Sequence, residues 1–269
     1  MAIGRFIIGF SKFTKRGRFV FSTAFLTIGL LVIYLIGPEY ANQSVSVLAV
    51  LSGVLTLFSL WEDLPRRKQS VIVILPAMLF TIAMGLFYFV LPGRWATRII
   101  MLTLFIFGFY ATLLVQNIYT ISVIRNIKLL AAARTIGFLL AVATAFCLYY
   151  ILYSLHTHMI IVAGGVAIIS FLLAISVLWS VSLKEFVGRA ELSHSLDLTL
   201  CITEIGVLIT FWPVSIVFAA IFLTGNFYTL VGLSQHWLEH RLFKRVLWEF
   251  IWVAVILVVI LFFTTKWGG

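Results

Sequence analysis

The chain has 269 residues, of which 63% are hydrophobic and 10% are charged, whereas soluble domains are roughly 45–50% apolar and about 25% charged. It therefore lacks the polar surface that would cover one or two soluble domains. Its net charge of +10 does not indicate nucleic-acid binding, because the basic residues lie between apolar runs and not on one soluble face. We expect an all-α, polytopic membrane protein with no nucleic-acid partner. Cys147 and Cys201 both lie inside apolar runs, which argues against a disulfide framework.

Residues 1–18 predict an amphipathic helix that lies along the membrane surface. Phe6, Phe10 and Phe13 share one side of a helical wheel, and basic residues such as Lys12 lie opposite. Such a helix sits in the cytoplasmic headgroup layer with its cations against anionic lipid headgroups. The alternative is that this segment only secures the orientation of the first span.

Nine stretches approach the length of about 20 apolar residues that a spanning helix needs. The shortest must be a separate span, because residues 198–232 are too long for one crossing and Pro213 cannot continue a helix. Residues 19–269 are thus predicted to form one transmembrane domain. The predicted spans are Phe19–Gly37, Ser44–Trp61, Val71–Leu91, Ile99–Ile121, Ile136–Leu155, Met159–Ser180, Leu198–Trp212, Pro213–Gly232 and Trp248–Thr265.

The distribution of basic residues predicts the orientation. With nine spans, 16 of the 19 lysines and arginines fall on one side, and only Arg94, Arg98 and Lys266 fall on the other. Basic loops stay in the cytoplasm. We therefore expect a cytoplasmic N-terminus, an external C-terminus and a multi-pass protein of the bacterial cytoplasmic membrane. An eight-span chain would place Arg241, Lys244 and Arg245 on the wrong side.

Glu204 is the acidic residue that this assignment places deepest inside the membrane. A bare carboxylate is costly there, so we expect it to be protonated, paired or in contact with water. One interpretation is an ion- or proton-coupling site in which Gln116, Asn117 and Asn226 of other spans contribute polar groups. The other is a neutral side chain that hydrogen-bonds a neighbouring helix.

The segment His236-Trp237-Leu238-Glu239-His240 resembles the H-x-x-E-H motif of the inverzincins. That resemblance implies that His236 and His240 hold a divalent metal such as zinc and that Glu239 acts on water. His194 and Asp197, at the start of the antiparallel seventh span, would be the further ligands. The alternative is an ordinary interfacial helix end, and on this alternative no cofactor is predicted.

Three classes of function remain. The first is a structural or accessory membrane component, which binds another membrane protein or associates with itself. The small number of polar residues within the predicted spans favours this class. The second is a small-solute or ion transporter that uses Glu204. The third is a metal-dependent membrane enzyme that uses the His236–His240 segment, and the sequence leans against an enzyme.

Overall fold

A computed structural model of the chain describes residues 14–61, 70–122, 128–183, 187–239 and 243–265. Within these ranges the protein is helical, and nine helices are long and apolar enough to cross a membrane. They are α1 (Lys15–Ile36), α2 (Ala41–Leu60), α3 (Ser70–Val90), α4 (Trp95–Ser122), α5 (Leu130–Ser154), α6 (Met159–Ser182), α7 (Arg189–Thr210), α8 (Ile216–Leu238) and α9 (Lys244–Thr264). The predicted multi-pass helical membrane protein is confirmed.

Eight predicted spans agree with the helices to within a few residues at most ends. The predicted break at Trp212-Pro213 is also confirmed, because α7 ends at Thr210 and α8 begins at Ile216. The predicted start of the seventh span at Leu198 is wrong, since α7 begins at Arg189. Its first two turns are polar, and a hydropathy criterion therefore starts the span too late.

The boundary of the predicted surface helix is also corrected. Residues 15–18 form the first turn of α1, and the Thr14 hydroxyl caps this helix by accepting a hydrogen bond from the backbone N–H of Gly17 at 3.3 Å. Residues 1–13 lie outside the described residues, so the surface helix stays a prediction.

The helices form two hydrophobic clusters that share one bundle. The first joins α1–α4, and the second joins α5–α8 with part of α3. Helix α3 packs against both α5 and α6 and thereby connects the clusters. At the edge of the bundle, α7 packs against α6 and α8, whereas α9 packs against α8.

Polar side chains tie helices together inside these clusters. The Tyr34 hydroxyl of α1 donates to the Met84 carbonyl of α3 at 2.8 Å. Tyr149 of α5 and Ser170 of α6 share a hydrogen bond of 2.7 Å. In a membrane the hydrophobic effect does not drive helices together, so such bonds and close packing hold the bundle.

The helices alternate in direction, so α1, α3, α5, α7 and α9 all begin at the same end of the bundle. Among the described residues, this end carries Lys15, Arg16, Arg18, Lys128, Arg134, Arg189, Lys244 and Arg245. We call it the basic end. The opposite end carries Arg94 and Arg98.

Candidate functional site

Helix α7 presents a polar stripe on the outside of the bundle. Its buried face, which includes Ser195, Ile202 and Gly206, packs against α6 and α8. The opposite face is exposed at intervals of three or four residues. This outer stripe consists of Ser193, Asp197, Leu200, Cys201, Glu204 and Leu208.

Glu204 lies on this stripe in the central part of the apolar stretch of α7. At the basic end, the His194 ring contacts the Trp237 ring with centroids 4.7 Å apart, and exposed tryptophans mark the membrane interface. At 1.5 Å per residue, Glu204 is about 15 Å from the level of His194 and about 12 Å from that of Trp212. The carboxyl group is therefore on the bundle surface between these two levels, and hydrocarbon around such a position would offer it no hydrogen bond.

The polarity of α7 is unusual for a helix at the edge of a membrane bundle. It has the lowest mean hydropathy of the nine spanning helices of the described chain. Polar groups within membranes normally face the bundle interior or a water-filled cavity, because lipid cannot solvate them. Here Asp197 and Glu204, two turns apart, both face outward.

The polar residues predicted to accompany Glu204 lie elsewhere. Gln116 lines a cavity enclosed by α3, α4, α5 and α6. The Asn226 side-chain amide donates to the Phe222 carbonyl of its own helix at 2.8 Å. The structure therefore does not bring Gln116, Asn117 and Asn226 next to Glu204, because Glu204 points away from the bundle.

The cavity beside Gln116 is small and rich in hydrogen-bond acceptors. Its volume is about 40 Å³, which accommodates a few water molecules. Gln116 is 4% exposed, and its Oε1 has no hydrogen-bond partner within the described part of the chain. Oδ1 of the neighbouring Asn117 also has no hydrogen-bond partner among the described residues. Four lining hydroxyls donate to carbonyls of their own helices and so face the cavity as acceptors, namely Thr112, Thr144, Ser176 and Ser180.

Arg134 organises a second polar site at the basic end. From the first turns of α5, its guanidinium donates to the Ser180 carbonyl at 3.0 Å and to the Val181 carbonyl at 2.7 Å, both near the end of α6. It also pairs with Glu239, the residue that follows α8, at 2.9 Å. A cation at the α6 carboxyl end compensates carbonyls that have no helical partner.

A cavity of about 370 Å³ opens beside this ion pair. Arg134, His236 and Glu239 line its polar part, and Phe138 and Phe250 line its apolar part. The sequence reasoning missed Arg134 as a site residue because it counted this residue only as a topogenic charge. The sequence offered no signal for this role, because the predicted fifth span begins at Ile136 and leaves Arg134 in the preceding loop, whereas α5 begins at Leu130.

The residues of the predicted metal site point in different directions. His194 faces Trp237 on one side of α8, whereas His236 lies 5.9 Å from the Phe250 ring of α9 on the other side. Glu239 forms an ion pair with Arg134, and Asp197 is exposed on α7. Within the described ranges, no group of three or more His, Cys, Asp or Glu residues could hold a metal ion. His240 lies outside those ranges, so the zinc interpretation of the segment stays a prediction.

A family model described as "Protein of unknown function (DUF5656)" matches residues 59–264. The chain belongs to the DUF5656 family. The matched region begins in the last residues of α2 and includes α3–α9, and so it contains the α7 stripe, the Gln116 cavity and the Arg134 site. Comparisons with curated proteins and with solved structures return no match.

Proposed function

We propose that this DUF5656 member is an accessory membrane component that binds another membrane protein through the outer stripe of α7. The observation that carries the proposal is the position of Glu204, exposed on the bundle surface in the apolar stretch of α7. An acidic side chain that faces lipid in the middle of a spanning helix is unfavourable by about 2.5–3.5 kcal/mol or more. A partner helix that supplies a hydrogen-bond donor would remove most of that cost.

The chemistry of the stripe indicates what the partner presents. Asp197 and Glu204 lie on the same side of α7, and both are acceptors when ionised. A second copy would set these acids against identical acids, and like charges in a membrane repel strongly. The complementary partner is a membrane helix with Lys, Arg, His or amide side chains at matching depths, about 10 Å apart along its axis.

The rest of the stripe is suited to helix packing. Ser193 and Cys201 are small and allow a neighbouring backbone to approach closely. Leu200 and Leu208, which are 63% and 65% exposed, would supply apolar contact on either side of Glu204. Polar specificity and apolar contact therefore occur together on one face.

Photo-crosslinking in native membranes tests the proposal. A crosslinking amino acid at Leu208 should capture one discrete partner, whereas the same probe at Val258, which is 56% exposed on α9, should capture lipid only. The Leu208 adduct should persist in Glu204→Gln, which can still hydrogen-bond, and fall severalfold in Glu204→Leu. Equal adducts at both positions, or an adduct that ignores Glu204→Leu, would contradict the proposal.

Cys201 provides a separate test against self-association. It is exposed on the stripe, whereas Cys147 is buried, so oxidation in membranes reports on Cys201 alone. Two copies that meet through α7 would form a Cys201–Cys201 disulfide and a dimer on a non-reducing gel. If α7 binds a different protein, no such dimer should form. Complete conversion to the disulfide-linked dimer would contradict the proposal and show that α7 binds a second copy of the chain.

A small-solute or ion carrier is the second candidate, and the Gln116 cavity favours it. A buried amide oxygen without a partner, surrounded by acceptor hydroxyls, would suit a cation or a small hydrogen-bond donor. Glu204 does not line this cavity, so transport would not use it directly. Gln116→Leu should abolish flux of the transported species into liposomes and leave the α7 adducts unchanged, which separates the two candidates.

A further inference from the structure

The cavity beside Arg134 is lined by residues of three helices. They belong to the first half of α5, to the second half of α8 and, with Phe250, to α9. Helices α5 and α9 both pack against α8. We call this space the α5–α9 groove. Exposed Leu139 at its edge shows that the groove is reached from the lipid side.

Polarity changes along the groove in the direction of the membrane normal. Arg134, Gln235 and Glu239 lie at the basic end, where headgroups are expected. Phe138 lies one turn deeper on α5, and Tyr228 lies about 16 Å deeper than Glu239 along α8. The ring of Tyr228 stacks on Phe138 with centroids 5.4 Å apart and contacts Phe250 at 5.6 Å. The lower part is therefore an aromatic surface suited to an acyl chain.

The charges at the upper part are balanced. Arg134 uses three of its five N–H groups in bonds to described residues, so within the described ranges its Nη1 and Nη2 each keep one N–H. The Glu239 carboxylate keeps acceptor positions beyond the one that binds Arg134. The site thus offers a donor for a phosphate and an acceptor for an ammonium group, a few ångströms apart, with His236 beside them.

We propose that the α5–α9 groove binds a phospholipid whose headgroup is a phosphate linked to a primary ammonium, as in phosphatidylethanolamine. The phosphate lies against Arg134 and His236, the ammonium donates to Glu239, and one acyl chain lies on Phe138, Tyr228 and Phe250. A quaternary ammonium has no N–H to donate to Glu239. A phosphoglycerol headgroup has no cation to offer Glu239 and carries a net negative charge.

Native mass spectrometry of the purified full-length protein tests this assignment. The protein is titrated with phosphatidylethanolamine, phosphatidylcholine or phosphatidylglycerol of identical acyl chains. We expect the phosphatidylethanolamine adduct to form about tenfold more tightly than the phosphatidylcholine adduct, which corresponds to one charge-assisted hydrogen bond. Equal affinity for the three lipids, or a preference for phosphatidylglycerol, would overturn the proposal.

Two variants and one control make the result specific to the groove. Glu239→Gln keeps an oxygen acceptor for Arg134 and for the ammonium but loses the charge that strengthens both bonds, so the preference over phosphatidylcholine should fall severalfold while binding persists. Leu139→Trp should fill the groove and weaken binding of both lipids by about tenfold or more. Val258→Trp on the exposed face of α9 adds the same bulk elsewhere and should change nothing. If Leu139→Trp binds phosphatidylethanolamine as the wild type does, the groove is not the site.

Discussion

At the scale of single residues, Gly108 of α4 occupies a position that a larger side chain cannot share. A Cβ atom there would meet the ring of Phe80, which is buried and stacks on Phe105 with centroids 5.9 Å apart. A rigid ring in a packed cluster cannot move aside cheaply. We expect Gly108→Ala to destabilise the bundle by about 1–3 kcal/mol, measured as a lower midpoint of thermal unfolding in detergent.

The control for this substitution is Gly164→Ala in α6, where no neighbouring atom lies within 4 Å of the added Cβ. It should leave the midpoint unchanged or raise it slightly, because alanine favours the helix. Equal effects of the two substitutions would show that the Phe80 contact does not limit packing.

Arg134 is a second residue whose role follows from its bonds. Arg134→Lys keeps the charge but cannot donate in the same plane to the two α6 carbonyls and to Glu239. The pair is mostly buried, with 21% and 14% of the two side chains exposed, so we expect a loss of about 2 kcal/mol. A thermal unfolding scan of Arg134→Lys checks this value. The control is Arg189→Lys at an exposed position, which should leave the unfolding midpoint unchanged.

At the scale of the element, hydropathy and one proline were sufficient to predict the nine helices. The inward or outward direction of each helix face was not predictable, because lipid-facing residues are as apolar as those of the core. This is why the sequence places Glu204 in the seventh span but leaves open which way its side chain faces. The partners of Arg134 were hidden for a different reason: they are backbone carbonyls, and any residue type provides them.

Helix α9 should be the most independent element. It buries only Phe250, Leu257 and Leu261, and it packs against α8. A chain that ends at Glu239 should therefore remain folded and monodisperse, with a thermal midpoint a few degrees lower, since a loss of about 1 kcal/mol moves the midpoint of a chain this large by roughly 2–4 °C. Size-exclusion chromatography and a thermal scan test this, and aggregation of the shortened chain would show that α9 is integral to the bundle.

At the scale of the whole molecule, the charges of the two ends predict how the bundle sits in the membrane. The basic end carries eight of the lysines and arginines in the described ranges and the opposite end carries two. The positive-inside rule places the basic end in the cytoplasm. We therefore expect nine crossings to put the two ends of the described chain on opposite sides, with Lys15 inside and Thr265 outside.

Alkaline phosphatase fusions test this orientation, because the enzyme is active only outside the cytoplasm. A fusion after Gly269 should be active, and one after Phe243, before α9, should be inactive. Arg94→Glu/Arg98→Glu should leave this pattern intact, because it strengthens the existing bias. An inactive fusion after Gly269 would mean that the bundle has the inverted orientation or that one of the nine helices does not cross the membrane. Inversion would place the Arg134 site and the α5–α9 groove at the outer leaflet, so the same fusions decide which leaflet supplies the phospholipid.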